Sequence, residues 1–134
     1  MNPANWEGKI LGLNTCQRNN PGDSPTPASP EFVSETSAES AAAARVLALW
    51  TGSDRFEYTV TISKGSSRIE PGKAPSAPIV LKWATFTEAA DEAGMAARYG
   101  GIQFALGDWE GKKLGRAVAE KAWGRAQKYF DKRE

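Results

Sequence analysis

Residues 108–130 read DWEGKKLGRAVAEKAWGRAQKYF and keep apolar side chains on one helical face for about six turns. Asp108 is placed to cap the N-terminus, so we predict one long final helix. Gly111 and Gly115 have the spacing that lets a second helix approach closely. The stripe keeps helical spacing to its end: Leu114, Val118, Ala119, Ala122, Trp123, Ala126 and Phe130.

A second helix is predicted just before this one. Thr85 followed three residues later by Glu88 is a capping box, which marks a helix N-terminus. The helix should run to about Arg98, because Gly100 and Gly101 then stop it. Its apolar side carries small residues and one phenylalanine: Phe86, Ala89, Ala90, Ala93 and Ala97.

Two runs earlier in the chain predict β-strands. Residues 56–62 alternate between apolar and polar side chains, and residues 78–83 are a second β-rich run. The Gly, Ser and Pro-rich link at 64–77 is long enough for the two runs to pair antiparallel. A two-stranded ribbon is marginal in water by itself, so we expect it to lie on helices.

The remaining helix is predicted at residues 38–50, with Ser37 as the N-cap and a run of alanines at 41–44. Its second half is apolar nearly all round, which predicts either deep burial or a surface for a partner. The residues responsible are Val46, Leu47, Leu49 and Trp50.

The domain organisation follows from composition. Residues 1–31 are rich in Asn, Pro, Ser and Gly, and we predict an extended N-terminal arm. Residues 32–134 should form a single helical domain. The fold class is therefore mainly α, a partial helical bundle with one short two-stranded antiparallel ribbon. Three helices and a ribbon cover these apolar stripes only thinly, so we also expect a homo-oligomer.

Composition excludes several classes of function. The net charge of +1 predicts no nucleic-acid partner, and no apolar run reaches the roughly 18 residues of a membrane span. The chain has one cysteine, Cys16, and no histidine, so we predict no metal site. Residues 1–15 lack the pattern of a signal peptide, and the compartment stays open.

Two segments together carry a family resemblance. They are residues 30–50, PEFVSETSAESAAAARVLALW, and residues 93–115, AGMAARYGGIQFALGDWEGKKLG. They resemble the C-terminal part of a vanadium-dependent haloperoxidase, in the superfamily of type 2 phosphatidic acid phosphatases. The resemblance implies a helical bundle and, in an active member, a vanadate cofactor or phosphatase activity.

The family holds its oxyanion with three motifs, and this chain departs from all three. The first motif contains Arg-Pro, a dipeptide that the chain lacks. The second reads Pro-Ser-Gly-His-Ser, and the corresponding residues 33–37 read VSETS. Ser34 and Ser37 match, whereas Glu35 replaces the glycine and Thr36 replaces the histidine. A threonine cannot act as a general acid near neutral pH.

The third motif is Ser-Arg, then histidine, then an acidic residue. The frame at 99–102 matches, but none of the motif positions does; they hold Ala96, Ala97, Gln103 and Gly107. Arg98 lies beside the missing arginine position, but the next residue on a helix points about 100° away. We therefore do not expect Arg98 to replace it.

The resemblance leads to one preferred function and two alternatives. The preferred one is a non-catalytic, self-associating helical domain with no catalytic residue, no metal and no cofactor, although the family would imply vanadate. The first alternative is residual binding of an oxyanion or a small polar ligand at the vestigial positions Ser34, Thr36, Ser37 and Gln103. The second is part of a phosphatase or haloperoxidase that another chain completes.

Overall fold

The structure, a computed structural model, describes residues 31–67 and 70–130. Within these ranges three helices and two strands follow one another, and they confirm the mainly α fold with one antiparallel ribbon. The predicted arm at 1–31 lies, but for its last residue, outside the described residues, so the domain division stays a prediction. The elements in chain order are α1 Glu35–Thr51, β1 Arg55–Ile62, β2 Ile79–Thr85, α2 Phe86–Tyr99 and α3 Ala105–Phe130.

Helix α1 begins three residues earlier than predicted, and its N-cap is Ser34 rather than Ser37. The Ser34 side chain accepts a hydrogen bond from the Ser37 backbone N–H at 3.3 Å. Ser37 lies inside the first turn, fully buried. The prediction was wrong because both serines are good caps by type, and only the backbone conformation distinguishes them. At the other end, Gly52 adopts the left-handed conformation with φ 72°.

The capping box of helix α2 is confirmed. The Glu88 backbone N–H donates to Thr85 Oγ1 at 3.0 Å, while Glu88 Oε2 accepts from the Thr85 backbone N–H at 3.3 Å. The helix ends at Tyr99, and Gly101 then turns the chain with φ 75°. The local sequence was sufficient here because both partners of the box lie within one turn.

Removing the Thr85 hydroxyl should weaken this helix start. We expect Thr85→Ala to lower the free energy of unfolding by about 1 kcal/mol, because the Glu88 N–H loses its acceptor. Urea unfolding followed by circular dichroism measures the change. Thr87→Ala, an exposed position in the same turn, is the control and should stay within about 0.5 kcal/mol. Equal effects of the two substitutions would contradict the assignment.

Helix α3 begins at Ala105, so the prediction that Asp108 is its N-cap was wrong. The Asp108 backbone N–H donates to the Phe104 carbonyl at 3.0 Å, which places Asp108 inside the first turn. Its side chain is turned inward, with the residue only 3% exposed. The Asp108 carboxylate therefore takes part in tertiary contacts rather than in capping the helix.

Helices α1 and α3 pack in parallel through glycines. A Cβ on Gly111 would lie 2.6 Å from the Ser34 carbonyl oxygen, and one on Gly115 would overlap the Ala38 backbone. Further along, Arg45 forms an ion pair with Glu120 at 3.0 Å. The close approach predicted from the glycine spacing is present. Among the residues that the structure describes, the buried apolar ones are accordingly all small: Ala41, Ala44, Ala90, Ala97 and Ala119.

The ribbon is antiparallel and lies beside α2. Its register pairs Tyr58 with Trp83 and Ile62 with Ile79, with an irregularity between Arg55 and Tyr58. The Tyr58 and Trp83 rings stack with centroids 6.2 Å apart. Aromatic cross-strand pairs of this kind stabilise short two-stranded ribbons.

Large apolar side chains lie mostly on the outside of the described fold. Trp50 is 68% exposed and Val118 is 52% exposed, although the sequence placed both on stripes expected to be covered. The second half of α1 is therefore not deeply buried within the described residues. None of the helices in the described ranges is long and apolar enough to cross a membrane.

Candidate functional site

The two serines that match the family motif lie side by side in the interior. Ser34 and Ser37 are both 0% exposed, and their hydroxyl oxygens are 2.9 Å apart. The Ser37 hydroxyl also lies 2.7 Å from Asp108 Oδ1, which can only accept from it. The N-terminus of α1 and the first turn of α3 are thus joined through a carboxylate.

Two cations hold the same carboxylate. Lys112 Nζ lies 3.1 Å from Asp108 Oδ1, and Arg98 Nη1 lies 3.4 Å from Asp108 Oδ2. Lys112 also forms an ion pair with Asp91 at 3.2 Å. We call Ser34, Ser37, Arg98, Asp108 and Lys112 the Asp108 cluster. The Arg98 guanidinium reaches Asp108 because the end of a long side chain can extend to an adjacent helix face, and the prediction that Arg98 does not replace the motif arginine stays a prediction.

The electrostatics favour the ionised carboxylate. Burial raises the pKa of Asp108, but hydrogen bonds from Ser37 and Lys112, the Lys112 charge and the Arg98 hydrogen bond together hold that pKa below its usual range. Asp108 is therefore an anion at neutral pH, balanced by the cations beside it.

This lowered pKa predicts a loss of stability in acid. Asp108 has a lower pKa in the folded than in the unfolded chain, so its contribution is complete above about pH 4 to 5 and is lost as the pH falls through the folded value. We expect Asp108→Asn to be less stable than the parent at pH 7, with a gap that shrinks below about pH 4. Urea unfolding between pH 3 and pH 7 measures it; a gap independent of pH would contradict this linkage.

Glycines close the site. A Cβ on Gly94 would lie 2.7 Å from Ser37 Oγ and would overlap the Asp108 carboxylate. On another side, the Ser34 backbone N–H donates to the Gly107 carbonyl at 3.0 Å. Within the described part of the chain, a cleft of about 90 Å³ is lined by alanines of α1 and α2 and flanked by Arg45 and Arg116. The serine pair does not line that cleft.

The four vestigial positions have different surroundings in the structure. Ser34 and Ser37 are in the cluster, whereas Thr36 is exposed on the surface of α1. The Gln103 amide nitrogen, in the orientation that satisfies its neighbours, donates to the Glu31 carboxylate at 3.2 Å and to the Glu31 carbonyl at 3.0 Å. Glu31 Oε1 also accepts from the Phe104 N–H at 2.7 Å. Gln103 therefore helps to hold the start of the described chain.

Sequence reasoning did not predict that the charged groups of Asp108, Lys112 and Arg98 meet. Asp108 and Lys112 are four residues apart on one helix, a spacing that could have indicated their ion pair. Nothing in the local sequence indicates that both meet Ser37, which is 71 residues from Asp108. Among the described residues, no three His, Cys, Asp or Glu side chains are grouped as metal ligands.

Comparison with known proteins identifies a family for this chain. A family model, the VCPO second helical-bundle domain, matches residues 4–132. Two solved structures of a bacterial vanadium-dependent chloroperoxidase, the holo-type and the apo-type, are similar in fold at 21% identity, with TM-scores of 0.72 and 0.73. Each match covers 78% of this chain. No functionally curated protein matches.

The match spans only part of the larger proteins. This chain covers 22% of the holo-type chain and 23% of the apo-type chain, so it corresponds to about a fifth of their length. The family model, in contrast, extends over nearly all of this chain. The protein therefore belongs to the family of the VCPO second helical-bundle domain.

Proposed function

We propose that this chain is a non-catalytic helical domain that associates with a second copy of itself. The observation that carries the first half is the Asp108 cluster: both motif serines are fully buried, Ser37 is hydrogen-bonded to the chain's own carboxylate, and Ser34 is hydrogen-bonded to Ser37. A bound oxyanion needs donors that face open space, whereas the Ser37 hydroxyl faces Asp108 and Gly94, and the Ser34 hydroxyl faces Ser37.

The missing side chains support the same conclusion. The sequence has no histidine, so no imidazole acts as general acid or as a covalent ligand to vanadate or phosphate. Thr36, at the position of the motif histidine, is exposed on α1 and lies away from the buried serines. The Arg98 and Lys112 cations are already engaged by Asp108 and Asp91.

Activity assays test the loss of catalysis. The purified chain should neither hydrolyse p-nitrophenyl phosphate nor oxidise bromide in the presence of vanadate and peroxide. Amide NMR spectra should also remain unchanged on titration with vanadate and then phosphate. Turnover that disappears in Ser34→Ala, or saturable shifts at residues 34–37, would overturn the proposal.

Self-association is supported by the exposed apolar surface. Trp50, Trp123 and Phe130 form an aromatic cluster, with ring centroids 6.0 to 6.4 Å apart, at one end of α1 and α3. Trp50 is 68% exposed and Phe130 is 51% exposed, so this aromatic cluster is an apolar surface that the second copy covers in the proposed association.

Light scattering after gel filtration measures the association. We expect the parent chain to have at least twice its monomer mass of 14.4 kDa. Trp50→Glu places a charge on the exposed aromatic cluster and should yield monomer. Leu106→Glu is the matched control, because Leu106 is also exposed but lies in the first turn of α3, about 25 Å along the helix from Trp123. A monomeric parent chain would contradict self-association.

A second candidate function is favoured because this chain matches only part of the related chains. The chain corresponds to about a fifth of the chloroperoxidase chains, and its family is named as a second helical bundle. Under this alternative the apolar surface of α1 and α3 packs on another helical domain, which would also supply the missing motif. A monomeric, inactive chain that gains activity only with such a domain would support this candidate instead.

A further inference from the structure

The groups that surround Asp108 are those of an anion-binding site. A serine hydroxyl, an ammonium group and a guanidinium group converge on one carboxylate that is 5% exposed: Ser37, Lys112 and Arg98. These are the donor types that bind carboxylates and other oxyanions in proteins. The donors come from three different helices, so the fold rather than one local motif assembles them.

The charge of the cluster depends on Asp108. With Asp91 included, two carboxylates face the two cations Arg98 and Lys112, and the charges cancel. Without the Asp108 carboxylate one positive charge is left over, and the Ser37 hydroxyl loses its charged acceptor. Lys112 has a side chain only 11% exposed. An unbalanced cation at that depth favours capture of an anion.

The space available limits the size of that anion. Gly94 forms one wall, where an added Cβ would lie 2.7 Å from Ser37 Oγ and 3.0 Å from Lys112 Cε. The volume freed by removing the Asp108 carboxylate is that of a planar three-atom group. A formate ion has this shape and charge, whereas a tetrahedral phosphate or vanadate is larger.

We propose that the Asp108 cluster is an anion site that the chain closes with its own carboxylate, and that removing this carboxylate opens it to small planar carboxylates such as formate. The inference rests on the proposed function: if the parent chain bound vanadate at the serine pair, the Asp108 carboxylate would not be the anion that fills this site. The inference adds a reason for the absence of oxyanion binding. The Asp108 carboxylate already occupies the site, and the groups that donate to it remain in place.

The test is chemical rescue of Asp108→Ala. This substitution removes the carboxylate and leaves the Cβ, so formate replaces the missing atoms. We expect the variant's thermal midpoint to rise saturably with sodium formate, by about 4–8 °C at ~100 mM if the dissociation constant is on the order of 10 mM. The parent chain should respond to formate no more than to sodium chloride of equal ionic strength.

Two further variants locate the binding. Asp108→Asn fills the same space without charge, so formate should not stabilise it. In the double variant Asp108→Ala, Lys112→Met the response should disappear because the buried ammonium is gone. If Asp108→Ala does not fold in chloride, recovery of its folded circular dichroism spectrum in formate is the positive result.

The outcomes separate this inference from the proposed function. An Asp108→Ala chain that ignores formate, or a double variant that keeps the full response, overturns the internal-anion assignment and leaves the inactivity of the parent chain untouched. Vanadate or phosphate binding by the parent chain overturns the proposed function, whatever the variant does with formate.

Discussion

Gly115→Ala should destabilise the fold by about 2–4 kcal/mol, although alanine is the better helix former by about 1 kcal/mol. The added Cβ would lie 2.9 Å from the Ala38 carbonyl carbon and 3.1 Å from its Cα, and closer still to its carbonyl oxygen. These are backbone atoms of α1, so no side-chain rotation can relieve the overlap. The two helices must separate, and the small core between them opens.

Gly124→Ala is the matched control. Gly124 lies on the same helix, and an added Cβ there meets nothing within 4 Å. We expect this variant to be more stable than the parent by about 0.5–1 kcal/mol, from helix propensity alone. Urea unfolding of both variants by circular dichroism gives the comparison. A Gly115→Ala chain as stable as Gly124→Ala would contradict the close packing of α1 on α3.

The second large effect is expected from Lys112→Met. The substitution keeps most of the side chain's length but removes the ammonium that lies 3.1 Å from Asp108 and 3.2 Å from Asp91. Asp108, with its side chain 5% exposed, is then left with Arg98 as its remaining cation. Breaking such a pair should lower the free energy of unfolding by about 2–4 kcal/mol at pH 7.

The neighbouring lysine provides the control. Lys113 is also paired, with Glu110 at 3.4 Å, but its side chain is 59% exposed. Lys113→Met should change the stability by less than about 0.5 kcal/mol, because water screens an exposed ion pair. The loss in Lys112→Met should also shrink in acid, once Asp108 is protonated. Equal losses for the two lysines would show that burial does not decide the effect.

The sequence alone determined the elements whose signals are local. The capping box of Thr85 and Glu88, the stop at Gly100 and the antiparallel ribbon each depend on residues within one turn or one hairpin, and the structure confirms all three. The family resemblance was also visible in sequence, because residues 99–102 match the frame of the third family motif although the motif positions differ. The family model supports that resemblance.

The role of Asp108 depends on how the three helices pack. By residue type it is a good N-cap, yet its partners are Ser37 on α1, Arg98 on α2 and Lys112 one turn along α3. Residue type and spacing indicate which local role a residue is suited to. A contact between residues 71 positions apart depends instead on how the helices pack. A carboxylate that is buried away from water is stable only if cations and hydroxyl groups contact it. A local sequence pattern does not specify which residues supply those contacts.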